Sequence, residues 1–171
     1  RSLLGMIQEN FTYESVFRYL RSGYCEFTED EIDRLENYCL ALGIKGYKKW
    51  QQAWARKTKE ADEEEVEKLN HLRVKFVEKI DPLMFVSRQK KKTVLDITLA
   101  VYEFIAGEHL QEKLEQQQKF FAEQGELTLA KEYEQIYRIV MELFDKFSEL
   151  LGDEPITLKE YCELLDAGFE E

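Results

Sequence analysis

Residues 11–50 read FTYESVFRYLRSGYCEFTEDEIDRLENYCLALGIKGYKKW, and this stretch decides the fold. Tyr13, Val16, Phe17 and Leu20 recur at i, i+3, i+4 and i+7, the spacing that aligns one face of an α-helix. The pattern predicts a helix from about Tyr13 to Ser22, capped by Thr12 and stopped by Gly23. Thr28 and Glu31 form the T-x-x-E capping box of a second helix. Glu29, Asp30, Glu31 and Asp33 then put negative charge at the positive end of its dipole. Ile32, Leu35, Cys39 and Leu42 make its apolar stripe, and Gly43 is the natural stop. Asn37 sits in mid-helix, where its propensity is poor, and an interhelical hydrogen bond is expected of it. The stretch is a helical hairpin in an all-α domain.

Upstream, Leu3, Leu4, Met6 and Ile7 read as a helix or strand closed by Glu9-Asn10. Downstream, Gly43-Ile44-Lys45-Gly46 lacks the spacing of a phosphate loop and follows a helix, so it is a helix–helix turn. The most basic stretch comes next. Lys45, Lys48, Lys49, Arg56, Lys57 and Lys59 are interleaved with Tyr47, Trp50 and Trp54. Cations mixed with aromatics suit a nucleic-acid backbone. Trp50 and Trp54, at i and i+4, equally suit anchoring a helix to the core beneath solvated lysines. An acidic run, Glu60 to Glu67, reads as the first turn of a helix rather than a metal site, because consecutive carboxylates point around its axis. That helix carries Val66, Leu69, Phe76, Val77 and Ile80 on one face, and Asp81-Pro82 is expected to end it. Arg73, within the stripe, is expected to snorkel or pair with a carboxylate of a neighbouring helix.

Ser87-Arg88-Gln89-Lys90-Lys91-Lys92 forms a second positive patch, which a helix-end dipole explains as readily as DNA. Thr93 and Asp96 open a helix striped by Val94, Ile97, Val101, Phe104 and Ile105, which Gly107 breaks. Glu108 to Gln124 is polar, with Leu110, Leu114, Phe120 and Phe121 as its large apolar anchors, and Gly125 marks a turn. The longest helix is expected from about Glu126 to Leu151. Its stripe, Leu129, Tyr133, Ile136, Val140, Leu143, Phe147 and Leu150, alternates spacings of 4 and 3 in the manner of a coiled coil. Gly152 stops it. Pro155 and the Thr157–Glu160 box open a last short helix ending at Ala167-Gly168. The result is an all-α, multi-helix bundle of about seven to nine helices with no sheet, read as a single helical subdomain over 1–171.

Composition limits the function. The chain of 171 residues is 44% hydrophobic, enough for a real core, and holds only 2 prolines. No run approaches the roughly 20 apolar residues of a membrane span. With Arg1 first and no signal segment, the chain reads as a soluble, cytoplasmic piece of a longer one. Cys25, Cys39 and Cys162 are far apart and lack a C-x-x-C pair, while His71 and His109 stand alone. That inventory is poor for a metal or iron–sulfur site and fits reduced structural thiols. Residues 1–92 hold 18 Lys+Arg against 16 Asp+Glu, and residues 93–171 hold 6 against 19. The acidic second half repels phosphates, so any DNA contact belongs to the first. Lys45, Lys48, Lys49, Trp50, Arg56 and Lys57, with Arg88, Lys90, Lys91 and Lys92, are the candidate contacts. No nucleophile elbow, H-E-x-x-H or paired Cys/His set is present, and the chain itself is expected to be catalytically inactive.

The wording of Phe17-Arg18-Tyr19-Leu20-Arg21-Ser22-Gly23 and Ile32-Asp33-Arg34-Leu35-Glu36-Asn37-Tyr38 resembles the B subunit of the bacterial AddAB (RexAB) helicase–nuclease. The likeness returns at Leu143-Phe144-Asp145, at Leu150 to Glu154, and from Ile156 to Phe169. Between these ends it is looser, with Asn70, Leu72, Arg73 and Glu132-Tyr133 in agreement. The resemblance implies the helical insertion of the second helicase-like domain. It further implies ATP, Mg and a 4Fe-4S cluster held elsewhere in the parent chain, and an AddA/RexA-type partner with which that chain resects double-strand breaks. None of the family's catalytic or cluster residues maps to a position here. A free-standing helical interaction module, with its acidic half facing a basic partner, is the alternative.

Overall fold

The computed structural model describes residues 1–22, 25–107, 115–116, 119–120, 122–123, 125 and 127–170. Side chains are described at all of these but 106–107, 127–130, 132–134, 136–137 and 169–170. The described residues form eight helices and no strand: α1 (Ser2–Gln8), α2 (Tyr13–Leu20), α3 (Glu29–Leu42), α4 (Tyr47–Gln51), α5 (Glu63–Ser87), α6 (Val94–Gly107), α7 (Leu127–Leu151) and α8 (Leu158–Glu170). The chain divides into two compact units, Arg1–Phe85 and Val86–Glu171. Gly23, the expected stop of α2, lies outside the described residues, as do Leu110, Leu114 and Phe121. Phe120 is exposed.

In the first unit α1 packs on α2, and α2 on α3. The predicted caps are present. The Thr12 hydroxyl accepts from the Ser15 amide, and Thr28 and Glu31 close a reciprocal box. Gly43 takes the left-handed conformation, φ +61°, that a β-carbon would oppose. Asn10 and Phe11 are also left-handed, at φ +52° and +57°. That costs each of them on the order of 1 kcal/mol. The turn is held by the Phe11 amide donating to the Met6 carbonyl at 2.9 Å, and by the fully buried Phe11 ring. An aromatic cluster fills the core. Phe11 lies 4.8 Å from Tyr47 and 6.1 Å from Phe76, and Phe76 lies 4.9 Å from Trp50, ring centre to ring centre. Such pairs add to the apolar burial that stabilises the unit.

One polar network spans α2 and α3. The Glu36 carboxylate accepts from the Arg21 guanidinium and the Tyr13 hydroxyl, and Asp33 takes a second Arg21 bond at 2.7 Å. Arg21 first, then Tyr13, hold Glu36 below the usual carboxylate range, while the bond to Glu36 pushes Tyr13 up to about 12. A depressed folded-state value contributes stability that is present above the unfolded value, near 4.3, and is lost as pH falls through the folded one. Glu36→Gln is therefore expected to cost about 1 kcal/mol at neutral pH. The gap between variant and wild type should narrow in urea titrations as pH falls below the ordinary carboxylate range and through the depressed folded-state value.

Two helix ends differ from expectation. Helix α5 does not stop at Asp81-Pro82 but runs through Pro82 to Ser87. The proline removes one backbone donor, yet Leu83 and Met84 just beyond it are buried and continue the stripe of Phe76 and Ile80. Core burial outweighs the lost bond. Helix α8 likewise continues past Gly168 to Glu170. A β-carbon at Gly168 would lie 2.6 Å from Leu143 Cδ1, so the glycine serves close helix approach rather than termination.

In the second unit α6 packs against α7 and α8. The Thr98 and Tyr161 hydroxyls meet at 2.8 Å inside the core, where burial pushes Tyr161 up to about 12. The amides of Val94 and Leu95, which open α6, donate to Glu154 and Gly152 carbonyls at 3.0 and 3.1 Å. An isolated antiparallel bridge joins Thr93 and Pro155 beside them. The coiled-coil stripe of α7 holds at Phe147 but not at Leu150, which is 74% exposed; Phe144 is buried and Leu151 half-buried. A straight helix at 3.6 residues per turn drifts from a 3.5-residue seam, which moves the stripe to 140, 144, 147 and 151. Leu129, Tyr133 and Ile136 lie outside the described side chains. Helix α7 has 25 residues, as many as α5.

Candidate functional site

The basic stretch of the first unit is not one helix. Helix α4 ends at Gln51, and residues 53–58 have no regular secondary structure. No glycine or proline follows Gln51 to break it, and Ala53 and Ala55 favour helix. Tertiary hydrogen bonds take the chain elsewhere. Asn70 of α5 grips the Trp54 backbone from both sides: its Oδ1 accepts from the amide at 2.9 Å, and its Nδ2 donates to the carbonyl at 2.7 Å. The Tyr38 hydroxyl of α3 donates to the Arg56 carbonyl at 2.7 Å. The Thr58 amide and hydroxyl close a turn with Ala61, both at 3.0 Å. At the other end, the Gly46 amide donates to the Phe11 carbonyl at 3.0 Å.

Arg73 completes the clamp. It is buried, and its Nη1 donates to the Trp50 carbonyl at 2.8 Å and its Nε to Asn70 Oδ1 at 2.9 Å. The guanidinium lies 5.9 Å from the centre of the Trp54 ring. The expected carboxylate partner is replaced by carbonyl oxygens and a π face. Burial lowers the Arg73 pKa, which records the cost of holding a cation there. Asn37 is exposed on α3 and does not make the interhelical bond expected of it; the asparagine that bridges elements is Asn70, from α5 to the irregular segment at Trp54.

The clamp separates aromatics from cations. Tyr47 and Trp50 are 1% exposed and Trp54 is 8%. Trp50 and Trp54 pack edge to face at 5.1 Å, and the Trp54 indole donates to the Lys49 carbonyl at 3.2 Å. Trp50 is thus a core residue with no ring face open to a ligand. By contrast Lys45, Lys48, Lys49, Arg56, Lys57 and Lys59 are all exposed, and residues 45–59 contain no carboxylate side chain. Lys57 lies 3.7 Å from Glu63, a highly exposed pair worth little. Shallow clefts of about 620 and 650 Å³ flank the segment, the second bordered by Trp54, Lys57, His71 and Lys75.

The other predicted cations, Arg88, Lys90, Lys91 and Lys92, belong to the second unit. The first three are exposed, and Lys92 is half-buried, its Nζ donating to the Gln89 carbonyl at 2.9 Å. The candidates therefore belong to two units, six in the first and four in the second. The cysteines do not suit an iron–sulfur cluster. Cys39 is buried in α3, where desolvation pushes its thiol up to about 12, and Cys162 is buried as well. Among the described residues no group of three or more His, Cys, Asp or Glu side chains is arranged to hold a metal ion, and no helix is long and apolar enough to cross a membrane.

Asn70 and Arg73 carry no chemical signal in sequence, although both lie in the central part of the family likeness. Their signal is local: polar side chains at positions adjoining the apolar stripe of α5. No protein-family model matches the chain. Curated relatives do. The chain is 41% identical over 174 residues to the B subunit of the ATP-dependent helicase/deoxyribonuclease of Lachnoclostridium phytofermentans, covering 100% of the chain and 15% of the relative. It is 37% identical over 171 residues to the protein of the same name from Clostridium novyi, with 99% and 15% covered. It is 35% identical over 182 residues to that of Clostridium acetobutylicum, with 100% and 16% covered. The chain spans about 15% of the length of the first two relatives. Matched from end to end at this identity, the chain belongs, as the counterpart of one segment, to the AddB/RexB family of ATP-dependent helicase/deoxyribonuclease B subunits.

Proposed function

We propose that this chain is a non-catalytic helical subdomain of an ATP-dependent DNA helicase–exonuclease subunit, corresponding to the helical insertion of its second helicase-like domain. The observation that carries the reading is the end-to-end match to one segment of much longer relatives. Those relatives' length also favours a subdomain over a free-standing interaction module. In this role both units form a scaffold for the motor domains or for an AddA/RexA-type partner. The complex acts in the cytoplasm in double-strand break resection and recombinational repair. ATP, Mg and a 4Fe-4S cluster would be held elsewhere in the parent, since the cysteines here do not fit a cluster.

DNA contact falls to the exposed cations of residues 45–59, whose backbone is pinned by Asn70, Arg73 and Tyr38. Pinning reduces the ordering cost of binding. The chain should bind DNA weakly at low salt and lose affinity steeply as salt rises. Replacing Lys48, Lys49, Arg56 and Lys57 together by glutamine should weaken binding on the order of 10-fold or more at low salt. All four are exposed, so folding should persist. Fluorescence anisotropy with labelled DNA measures the loss. Unchanged binding would move the contact to Arg88, Lys90, Lys91 and Lys92, and intrinsic nuclease activity of the pure chain would contradict a non-catalytic role.

A further inference from the structure

We infer that the 45–59 surface grips the phosphate backbone of duplex DNA, without base stacking, in preference to single strands; this rests on the reading of that surface as a DNA contact. Strand-binding grooves combine cations with aromatic faces, and each stacked base adds about 1–3 kcal/mol. Here the sequence interleaves the two residue types, but the structure sorts them. Tyr47, Trp50 and Trp54 turn inward to Phe11, Phe76 and Tyr38, and none exposes more than 8% of its surface. The Tyr47 and Trp54 rings, and the backbone that carries Trp50 and Trp54, are also held by hydrogen bonds. The Tyr47 hydroxyl donates to Asp81, and the Trp54 indole to the Lys49 carbonyl. The Trp50 carbonyl accepts from Arg73, and the Trp54 backbone is held by Asn70. Swinging the Tyr47 or Trp54 ring outward would break its own hydrogen bond, and swinging any of the three would open the aromatic core.

What remains outside is six cations with Gln51, Gln52, Ala53 and Ala55 between them. Six cations stand in fifteen residues with no carboxylate side chain among them; the acidic run begins just after, at Glu60, and Glu63 pairs loosely with Lys57. A surface of this kind offers no exposed aromatic face on which to stack an unpaired base. Its attraction follows the charge density of the ligand, and duplex DNA carries one charge per about 1.7 Å of axis against about 3.4 Å for each strand. Affinity is then independent of base composition, and its salt dependence is bounded by six contacts, a log–log slope no steeper than about −5 on duplex.

The experiment is fluorescence anisotropy on the whole chain with end-labelled duplex and oligothymidylate of equal length, about 20 nucleotides, at several salt concentrations. Poly-thymidine is chosen because its weak self-stacking leaves its bases free for any aromatic platform. The expected result is duplex binding several-fold tighter, about 3–10-fold, with the order kept when the single strand is changed to oligoadenylate. Single strands bound as tightly as duplex, or more tightly, would overturn the inference while leaving a DNA contact in place. Binding of neither at low salt would overturn the DNA contact itself. Duplex preference that survives glutamine at Lys48, Lys49, Arg56 and Lys57 would also overturn it, by locating the preference on another surface.

Discussion

Trp50→Ala is expected to destabilise the first unit by about 3–5 kcal/mol, the range for removing a large buried aromatic ring. Trp50 is 1% exposed, packs on Phe76 at 4.9 Å and on Trp54 at 5.1 Å, and its carbonyl accepts from Arg73. Against a typical total of about 5–15 kcal/mol, such a loss leaves the unit marginal. Urea unfolding should show a large fall in midpoint, and Trp50→Phe, which keeps a ring against Phe76, should recover much of it. A solvent-facing tryptophan would cost within about 0.5 kcal/mol when truncated. The size of the effect therefore separates a core role from a ligand-stacking role.

Asn70→Ala comes second, at about 2–4 kcal/mol, because one side chain serves three hydrogen bonds. Its loss leaves the Trp54 amide and carbonyl without their side-chain partner, and takes from Arg73 the Oδ1 acceptor of its Nε. The consequence extends to the surface. With the grip gone, residues 53–58 should exchange their amide protons faster, while α2 and α3 remain protected. DNA affinity should fall as well, although no cation has been removed, because the cations would sit on a less ordered backbone. Hydrogen exchange measured by mass spectrometry on the variant and the wild type checks the local effect.

The contrast between Asn70 and Asn37 shows what could be read in sequence and what could not. Local signals were legible. The Thr28–Glu31 and Thr157–Glu160 boxes, the Thr12 cap and the Gly43 stop all involve residues within four positions of each other. The stripes of α2, α3 and α5 were legible for the same reason, since burial imposes the helical period. What failed depended on residues distant in sequence or on burial beyond a local breaker. Pro82 lies inside a helix because Leu83 and Met84 are needed in the core, and Gly168 lies inside one because Leu143 approaches it. The same holds for the site. Exposure of Lys48, Lys49, Arg56 and Lys57 followed from their charge, but the end of α4 at Gln51 is set from α5, sixteen and more residues away. Helix propensity alone would have carried α4 through Trp54, placing the tryptophans on a helix face rather than in a clamp.

Trp50 and Trp54 are the chain's 2 tryptophans, so indole emission reports on this clamp alone. The most direct test of a core aromatic layer beneath a cationic surface is tryptophan fluorescence recorded during titration with DNA at low salt. Burial of both rings predicts blue-shifted emission, poor quenching by iodide, and no loss of intensity as DNA reaches saturation. Red-shifted emission open to iodide, or strong quenching by bound DNA, would contradict it by placing a ring at the surface against a base.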